Sequence, residues 1–239
     1  MTETTISKRQ ASATAGRIEV AAGALFADCL GAFHAFGELP ELAENLRILS
    51  LNAELAAGRA GEKGRAVRAL TQYTRELVNR LAHIQSEMSR LEATTYGQSA
   101  ATLRELYRLR LLESTARAVA ETQGEYYQSG REAVEKARRQ TITYLAETLS
   151  EMNGSVERLA SRTRVVAEVV AQSDSIATNI AIEAAAAGVH EKEFRTVADT
   201  MRTYVEDLRH MIEAAGQSVA DAANKGHQLQ RMGFGALSA

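Results

Sequence analysis

The sequence predicts an all-α fold, an elongated antiparallel four-helix bundle of coiled-coil type that is built from two tandem helical hairpins. Among the 239 residues Pro occurs once, Trp is absent and aromatic residues make up 5%, a composition that suits long helices better than a thick globular core. Apolar residues recur at steps of three and four along several long stretches, as on the buried stripe of a helix. A segment suited to a tight bend between helices also occurs twice, which predicts a duplicated unit.

Residues 1–38 are predicted to form a separate N-terminal helical segment. An apolar stripe runs through its second half and into the next helix, and it consists of Leu25, Cys29, Phe33, Phe36, Leu39, Leu42, Leu46 and Leu49. Proline lacks a backbone N–H and fits well only in the first turn of a helix. Pro40, with Gly37 just before it, therefore predicts a kink or a break between two helices.

Each predicted hairpin bends at a tip marked by glycine. The first hairpin covers 39–127, with a first tip at about 58–65, and the second covers 128–239, with a second tip at about 186–193. The returning helix of the first hairpin carries the apolar residues Val67, Leu70, Tyr73, Leu77, Leu81, Ile84, Met88 and Leu91, continued by Leu103, Leu106 and Leu109. Small residues let two helices approach closely near a bend, and glycine supplies the backbone freedom that the bend needs.

The segment 124–130 is the best candidate for the turn between the hairpins, because it is rich in glycine and polar residues and lies about midway between the tips. A reversal there brings both tips to the same end of the bundle. One chain then forms a pseudo-dimer with the cross-section of four antiparallel helices. The alternative is a continuous helix through 124–130, which places the tips at opposite ends.

Composition and motifs argue against several classes of function. The formal net charge is −2, so no bulk attraction to nucleic acid is expected. The five histidines include no pair at the helical spacing of metal ligands, and the sequence has neither a phosphate-binding glycine loop nor a nucleophile elbow. We therefore expect no enzymatic activity and no cofactor. The minor alternative is a haem or redox sensor that uses Cys29 and His34.

The sequence predicts a soluble, cytoplasmic protein with no membrane span. Cys29 is the only cysteine, so an internal disulfide is impossible and nothing indicates an oxidising compartment. The first ten residues are polar and lack the apolar core of a signal peptide. The most apolar run, 20–36, contains Asp28 and falls short of the ~20 uninterrupted apolar residues that a membrane span needs.

Two sets of residues around the tips match one known pattern. The first set is Leu51, Asn52, Ala53, Ala57, Arg59, Ala60, Gly61, Glu62, Gly64 and Arg65. The second set is Asn179, Ile182, Glu183, Ala184, Ala185, Ala187, Gly188, Phe194, Val197, Ala198, Asp199 and Arg202. Both resemble the cytoplasmic signalling tip of bacterial methyl-accepting chemotaxis receptors. The remainder of the chain has a helical pattern that is compatible with this family and carries no motif of its own.

This resemblance implies signal transduction rather than catalysis. In that family the tips hold receptors together and bind a histidine kinase and its coupling adaptor. The expected partners are therefore the chemotaxis histidine kinase, the coupling adaptor, and other chemoreceptors or further copies of this chain. The residues that it suggests for partner binding are Leu49, Asn52, Leu55, Arg59, Glu62, Arg65, Asn179 and Glu183. For the leucines, burial in the bundle core is the preferred alternative.

Each copy departs from the family pattern at one charged position. Ala56 stands where the pattern has Glu, and Ala186 stands where it has Arg. In one interpretation Arg59 and Glu183 complement each other between the hairpins as an ion pair; in the other, both changes are drift on a solvated face. Adjacent Glu/Gln pairs, at which the family is methylated, do not occur, so methylation is not expected. The second function hypothesis is a helical scaffold or oligomerisation protein outside chemotaxis.

Overall fold

The computed structural model describes residues 3–121 and 128–237. It contains five α-helices: α1 (Glu3–Ala35), α2 (Leu39–Arg59), α3 (Arg65–Glu121), α4 (Gln128–Ala186) and α5 (Glu191–Leu237). Short 3₁₀ turns, Gly61–Gly64 and Gly188–His190, join α2 to α3 and α4 to α5. All regular structure in the described ranges is helical, which confirms the all-α fold class and the two hairpins, α2–α3 and α4–α5.

The predicted break near Pro40 is present. A turn separates α1 from α2, and in it the Gly37 N–H donates to the His34 carbonyl oxygen at 2.9 Å. Pro40 lies in the first turn of α2, where the missing N–H costs no helical hydrogen bond. The predicted apolar stripe around the break is buried from Leu25 to Leu46, since Leu25, Cys29, Phe33, Phe36, Leu39, Leu42 and Leu46 are at most 7% exposed, and its last member, Leu49, is half-buried.

The chain forms two compact units. Unit 1 comprises Met1–Leu30, Leu91–Arg158 and Ser218–Ala239, and unit 2 comprises Gly31–Arg90 and Leu159–Gln217. Each unit takes segments from both hairpins. The predicted boundaries at 39–127 and 128–239 describe the order of the hairpins along the chain, and as domain boundaries they stay a prediction.

Unit 2 is a ring of four helices, in which α2 packs beside α3, α3 beside α4, α4 beside α5 and α5 beside α2. The polar contacts that join these neighbours are Ser50 Oγ to the Thr71 carbonyl oxygen (3.0 Å), Arg80 to Glu168 (3.7 Å), Asp174 to Arg209 (3.2 Å) and Glu193 to Arg59. Further along α3, Glu87 pairs with the earlier Arg162 of α4 at 3.1 Å. Since a later residue of α3 (Glu87 after Arg80) pairs with an earlier residue of α4 (Arg162 before Glu168), α3 and α4 run antiparallel.

Unit 1 is built in the same way, with α1 in the place of α2. The contacts between neighbouring helices here are Arg110 to Glu19, Ser155 Oγ to Gln98 (2.9 Å), Asn153 to Gln230 (3.4 Å) and Lys225 to Asp28. In unit 1 as well α3 and α4 run antiparallel, since Arg131 early in α4 donates to the Val119 carbonyl oxygen late in α3, so the alternative that places the two tips at opposite ends is wrong. Of the predicted turn, 124–127 lies outside the described residues and 128–130 belongs to α4.

Two residues of the predicted apolar face of α3 do not reach the core. Tyr73 is 60% exposed and Leu103 is 51% exposed, whereas Thr74 and Thr102 are buried. Both threonine hydroxyls donate to the carbonyl oxygen four residues earlier in α3, at 3.1 and 2.9 Å. A hydroxyl that is satisfied by its own helix can be buried at little cost, and a pattern of apolar residues alone does not reveal such a position.

One segment in the described ranges, Gly16–Arg59, which includes part of α1 and all of α2, is long and apolar enough by composition to cross a membrane. Core helices of water-soluble proteins meet the same criteria; in this segment a third of the apolar window is buried inside the protein. The expectation that the chain has no membrane span stays a prediction.

Candidate functional site

The first tip is a tight bend that depends on two glycines. Gly61 follows the end of α2 and has φ of +59°, in the left-handed region that glycine adopts without steric cost. Gly64 is buried. A Cβ on Gly64 would overlap the carbonyl oxygen of Ala57 and lie 2.7 Å from its carbonyl carbon. The backbone of the returning chain therefore lies directly against α2.

The second tip bends in the same way with fewer glycines. Gly188 has φ of +62° and occupies the place of Gly61. Glu191, half-buried at the start of α5, occupies the place that Gly64 takes in the first tip. Both predicted bends are confirmed, and the first has a close backbone approach at Gly64.

The two tips meet in unit 2. Arg59, the last residue of α2, forms an ion pair with Glu193 in the first turn of α5, and Lys63 Nζ lies 3.1 Å from the position of a Cβ on Gly188. The prediction that both tips lie at the same end is confirmed for this unit. The interpretation that paired Arg59 with Glu183 is wrong, because α2 packs beside α5, which supplies Glu193, and not beside α4, which carries Glu183.

Alanines fill the interior of the tips and leave larger apolar side chains outside. The buried alanines are Ala53, Ala56, Ala57, Ala184 and Ala187, each at most 1% exposed. Leu55 is 67% exposed and Ile182 is 62% exposed; each lies six residues before the glycine of its tip. Leu51 is 41% exposed. The expectation that the leucines are core is therefore wrong for Leu51 and Leu55, since alanine takes the inner positions.

A cleft of about 810 Å³ runs between α2 and α5 beside the tips. Its lining comprises Asn45, Ile48, Leu49, Asn52, Leu55, Ala56, Arg59, Val189, Lys192, Glu193, Thr196, Val197, Thr200 and Tyr204. At its tip end lies Val189, which is 93% exposed. The cleft can accept apolar side chains of a partner, while Asn52 and the threonines offer hydrogen bonds at its wall.

The structure brings half of the predicted partner-binding residues together. Leu49, Asn52, Leu55 and Arg59 line the cleft. The other four lie elsewhere at this end of unit 2: Glu62 and Arg65 are exposed at the first bend, and on α4 Asn179 is exposed and Glu183 half-buried.

Sequence reasoning missed three exposed apolar residues at this end of unit 2, of which Ile48 and Val189 line the cleft and Ile182 lies on α4. Ile48 is 45% exposed on the cleft wall, and Ile182 and Val189 are more exposed still. The equal spacing of Leu55 and Ile182 from their glycines could have identified Ile182. A valine inside a turn was the only signal for Val189.

Cys29 and His34, the residues of the cofactor alternative, lie in different surroundings. Cys29 is 1% exposed. Burial, with the neighbouring Asp28 carboxylate second, raises the pKa of its thiol to about 11. His34 is exposed on α1. A protonated thiol is a poor metal ligand and a poor redox group, so the arrangement gives the haem or redox alternative no support.

Comparison with known proteins finds similarity to bacterial chemoreceptors. Over 112 aligned residues the chain is 33% identical to the methyl-accepting chemotaxis protein TlpQ of Pseudomonas aeruginosa. This alignment covers 41% of this chain and 16% of that receptor. Over 99 residues it is 26% identical to the aerotaxis receptor of Escherichia coli, and this alignment covers 38% of this chain and 20% of that receptor. The chain thus spans a fifth or less of these curated relatives. No protein-family profile and no solved structure matches it.

Proposed function

We propose that this chain is a chemoreceptor-like signal-transduction protein that binds the chemotaxis histidine kinase, its coupling adaptor or neighbouring receptors through its hairpin tips. The similarity to chemotaxis and aerotaxis receptors supports a signalling role of this kind. The proposal places the protein in the cytoplasm without a membrane span of its own and assigns it no enzymatic reaction.

The observation that carries the proposal is the exposed apolar surface at the tips. Leu55 and Val189 are 67% and 93% exposed. Both line the same cleft, together with Ile48 and Asn52. Single exposed apolar side chains are ordinary on protein surfaces, but a cluster beside a cleft indicates a surface that a partner covers. Leucine and valine held on a helix and in a tight turn lose little entropy on binding.

The charged groups at the tips suit orientation rather than strength. The exposed pair of Arg59 with Glu193 contributes about 0–1 kcal/mol to stability, as exposed ion pairs do. In a complex, such groups at the rim of an apolar patch select the partner and fix its register. We therefore expect the apolar residues to carry most of the affinity.

The test is co-purification of the tagged protein with the histidine kinase and coupling adaptor of its own cell. The wild type is compared with Leu55→Glu and with a matched control, Leu111→Glu, at a leucine of unit 1 that is 52% exposed. Retention of the kinase and adaptor should be lost in Leu55→Glu and kept in Leu111→Glu, with equal thermal midpoints for both variants.

Two results contradict the proposal. If the wild type retains neither protein, the chemotaxis function is rejected and the helical-scaffold hypothesis takes its place. If Leu55→Glu retains both proteins as well as the wild type does, the tips are not the binding site.

A further inference from the structure

The second bend is held less firmly by its own hairpin than the first bend is. The first 3₁₀ turn, Gly61–Gly64, buries Gly64 against α2. In the second turn, Gly188–His190, none of the three residues that the structure describes is buried. Burial and packing are what make a segment resist local opening. The second turn therefore depends more on contacts that come from outside its hairpin.

Two cations of the first hairpin supply such contacts. Arg59, at the end of α2, pairs with Glu193 in the first turn of α5. Lys63 places its Nζ 3.1 Å from the position of a Cβ on Gly188, just beyond the C-terminus of α4. The carbonyl groups at a helix C-terminus form the negative end of the helix dipole, which attracts a cation. The first hairpin thus touches the second bend on both sides, at the end of α4 and at the start of α5.

These contacts run in one direction only. Each position of the first tip corresponds to the position 127 residues later, as Gly61 does to Gly188. The three residues that make the contacts are all replaced at the corresponding positions: Ala186 stands in place of Arg59, Ala66 in place of Glu193 and His190 in place of Lys63.

His190 turns toward its own hairpin instead. Its Nδ1 lies 3.8 Å from a carboxylate oxygen of Glu193, and its ring lies beside that of Phe194, with the ring centroids 6.3 Å apart. The first bend, which is already held by the buried Gly64, therefore receives no equivalent of the Lys63 contact.

Val189 is the residue that the second turn carries to the cleft. It is 93% exposed and lines the tip end of the cleft, whereas Lys63 is not among the lining residues. An apolar side chain that is held in place before binding loses less entropy in the complex than one that the partner must order. A role of Lys63 at the cleft therefore acts through the turn that it touches.

We infer that Lys63 and the Arg59–Glu193 pair form a clasp through which the first hairpin holds the second bend, and that Lys63 is a positioning residue for Val189 in partner binding. The inference rests on the proposed function for the partner, whereas the clasp itself belongs to the folded chain. Because its contacts are ionic and exposed, the clasp adds little to global stability and weakens as salt is raised.

The clasp is tested first without a partner, by hydrogen exchange measured by NMR. The informative amides are those bonded within the second bend: the N–H groups of Ala187, His190 and Glu191, which donate to the carbonyl oxygens of Ala184, Ala187 and Gly188. Lys63→Met removes the charge and should accelerate their exchange ~2- to 5-fold, the effect expected for a cation at a helix C-terminus. The thermal midpoint should stay that of the wild type, and Lys63→Arg should restore slow exchange.

Two controls establish the place and the direction of the effect. Lys136→Met, at an exposed lysine of α4 in unit 1, should leave exchange in the second bend unchanged. His190→Met should leave exchange of the Ala60 N–H, which donates to the Ala56 carbonyl oxygen at 3.1 Å, unchanged. The second control follows from the one-way clasp, since His190 does not hold the first tip.

The link to the cleft is tested by a double-mutant cycle, in binding to the purified kinase and coupling adaptor of the same cell. Lys63→Met should weaken binding ~2- to 10-fold, as the loss of order at one interface side chain does. In a chain that already carries Val189→Ala, Lys63→Met should change binding little, because a positioning residue acts through the side chain that it positions.

The inference is overturned if the second bend of Lys63→Met exchanges at the wild-type rate. It is also overturned if the effects of Lys63→Met and Val189→Ala on binding add in full, which would make Lys63 a direct contact of the partner. Both results leave the proposed function intact as long as the wild type binds the kinase and adaptor. If the wild type binds neither, the proposed function fails and the role of Lys63 in partner binding fails with it, while the exchange rates still decide whether the clasp exists.

Discussion

The close backbone approach at Gly64 makes a sharp prediction about the first tip. Replacement of Gly64 by alanine would place a Cβ against the carbonyl oxygen of Ala57 and 2.7 Å from its carbonyl carbon and Cα. These are backbone atoms, which cannot rotate away as the end of a side chain can. Overpacking of this kind typically costs ~1–3 kcal/mol, and we expect the upper part of that range because two backbone segments must separate.

Two neighbouring glycines supply matched controls of the same substitution. Gly61→Ala meets nothing within 4 Å but must hold φ near +59°, which costs an L-residue about 1–2 kcal/mol. Gly58→Ala, near the end of α2, also meets nothing within 4 Å, and it should stabilise the helix by up to ~1 kcal/mol. The expected order of stability is Gly58→Ala, wild type, Gly61→Ala and then Gly64→Ala.

The assay is urea unfolding followed by circular dichroism, together with amide hydrogen exchange over residues 53–68, because the strain can open the tip locally before the whole bundle unfolds. Gly64→Ala should show faster exchange in this segment than either control. The reasoning is refuted if Gly64→Ala is as stable as Gly61→Ala and exchanges at the same rate, since the chain would then relax the contact without cost.

Two further predictions follow from buried groups. Burial raises the folded-state pKa of the Cys29 thiol from 9.0 to about 11, so maleimide at pH 8 should label the folded chain far more slowly than the urea-unfolded chain. The contribution of this thiol to stability is present below pH 9, the pKa in the unfolded chain, and is lost as the pH rises through the folded-state pKa of about 11. Rapid labelling of the folded chain would contradict this burial. Ser50→Ala removes a hydroxyl that donates to the Thr71 carbonyl oxygen at 3.0 Å between α2 and α3, and it should lower the free energy of unfolding by about 1 kcal/mol. The control, Ser175→Ala, changes an exposed serine that bonds within its own helix and should change the free energy of unfolding little. Equal losses in the two variants would assign the effect to helix propensity.

The sequence predicts the bends well because each depends on local chemistry. Gly61 and Gly188 take the left-handed conformation that few other residues adopt, and Pro40 can begin a helix but not continue one. Features of this kind are set by the residue itself and by its immediate neighbours. They can be identified before any tertiary contact is known.

Contacts between helices depend on which helices become neighbours, and the sequence pattern leaves that open. One of the two interpretations of the sequence paired Arg59 with Glu183, but the ring order of unit 2 places α5 beside α2, and Glu193 is the partner of Arg59. Leu55 lies nine residues after Leu46, on the opposite face of α2 from the buried stripe that continues at Ala53 and Ala56, and it remains outside. For Leu55 the helical spacing itself therefore indicates the outer position, and the expectation of burial gave its apolar character too much weight.

The two tips differ in a way that one chain allows and two identical chains do not. In an assembly of two identical chains around a twofold axis, both bends must carry the same residues. Here the first bend carries Glu62 and Gly64, and the corresponding positions of the second bend carry Val189 and Glu191. Val189 adds an exposed apolar group to the cleft beside Leu55, whereas the corresponding residue of the first bend is a charged glutamate. Duplication within one chain therefore frees the two sides of this end to acquire different chemistry, and the more apolar side is the one on which the proposed binding of partners depends.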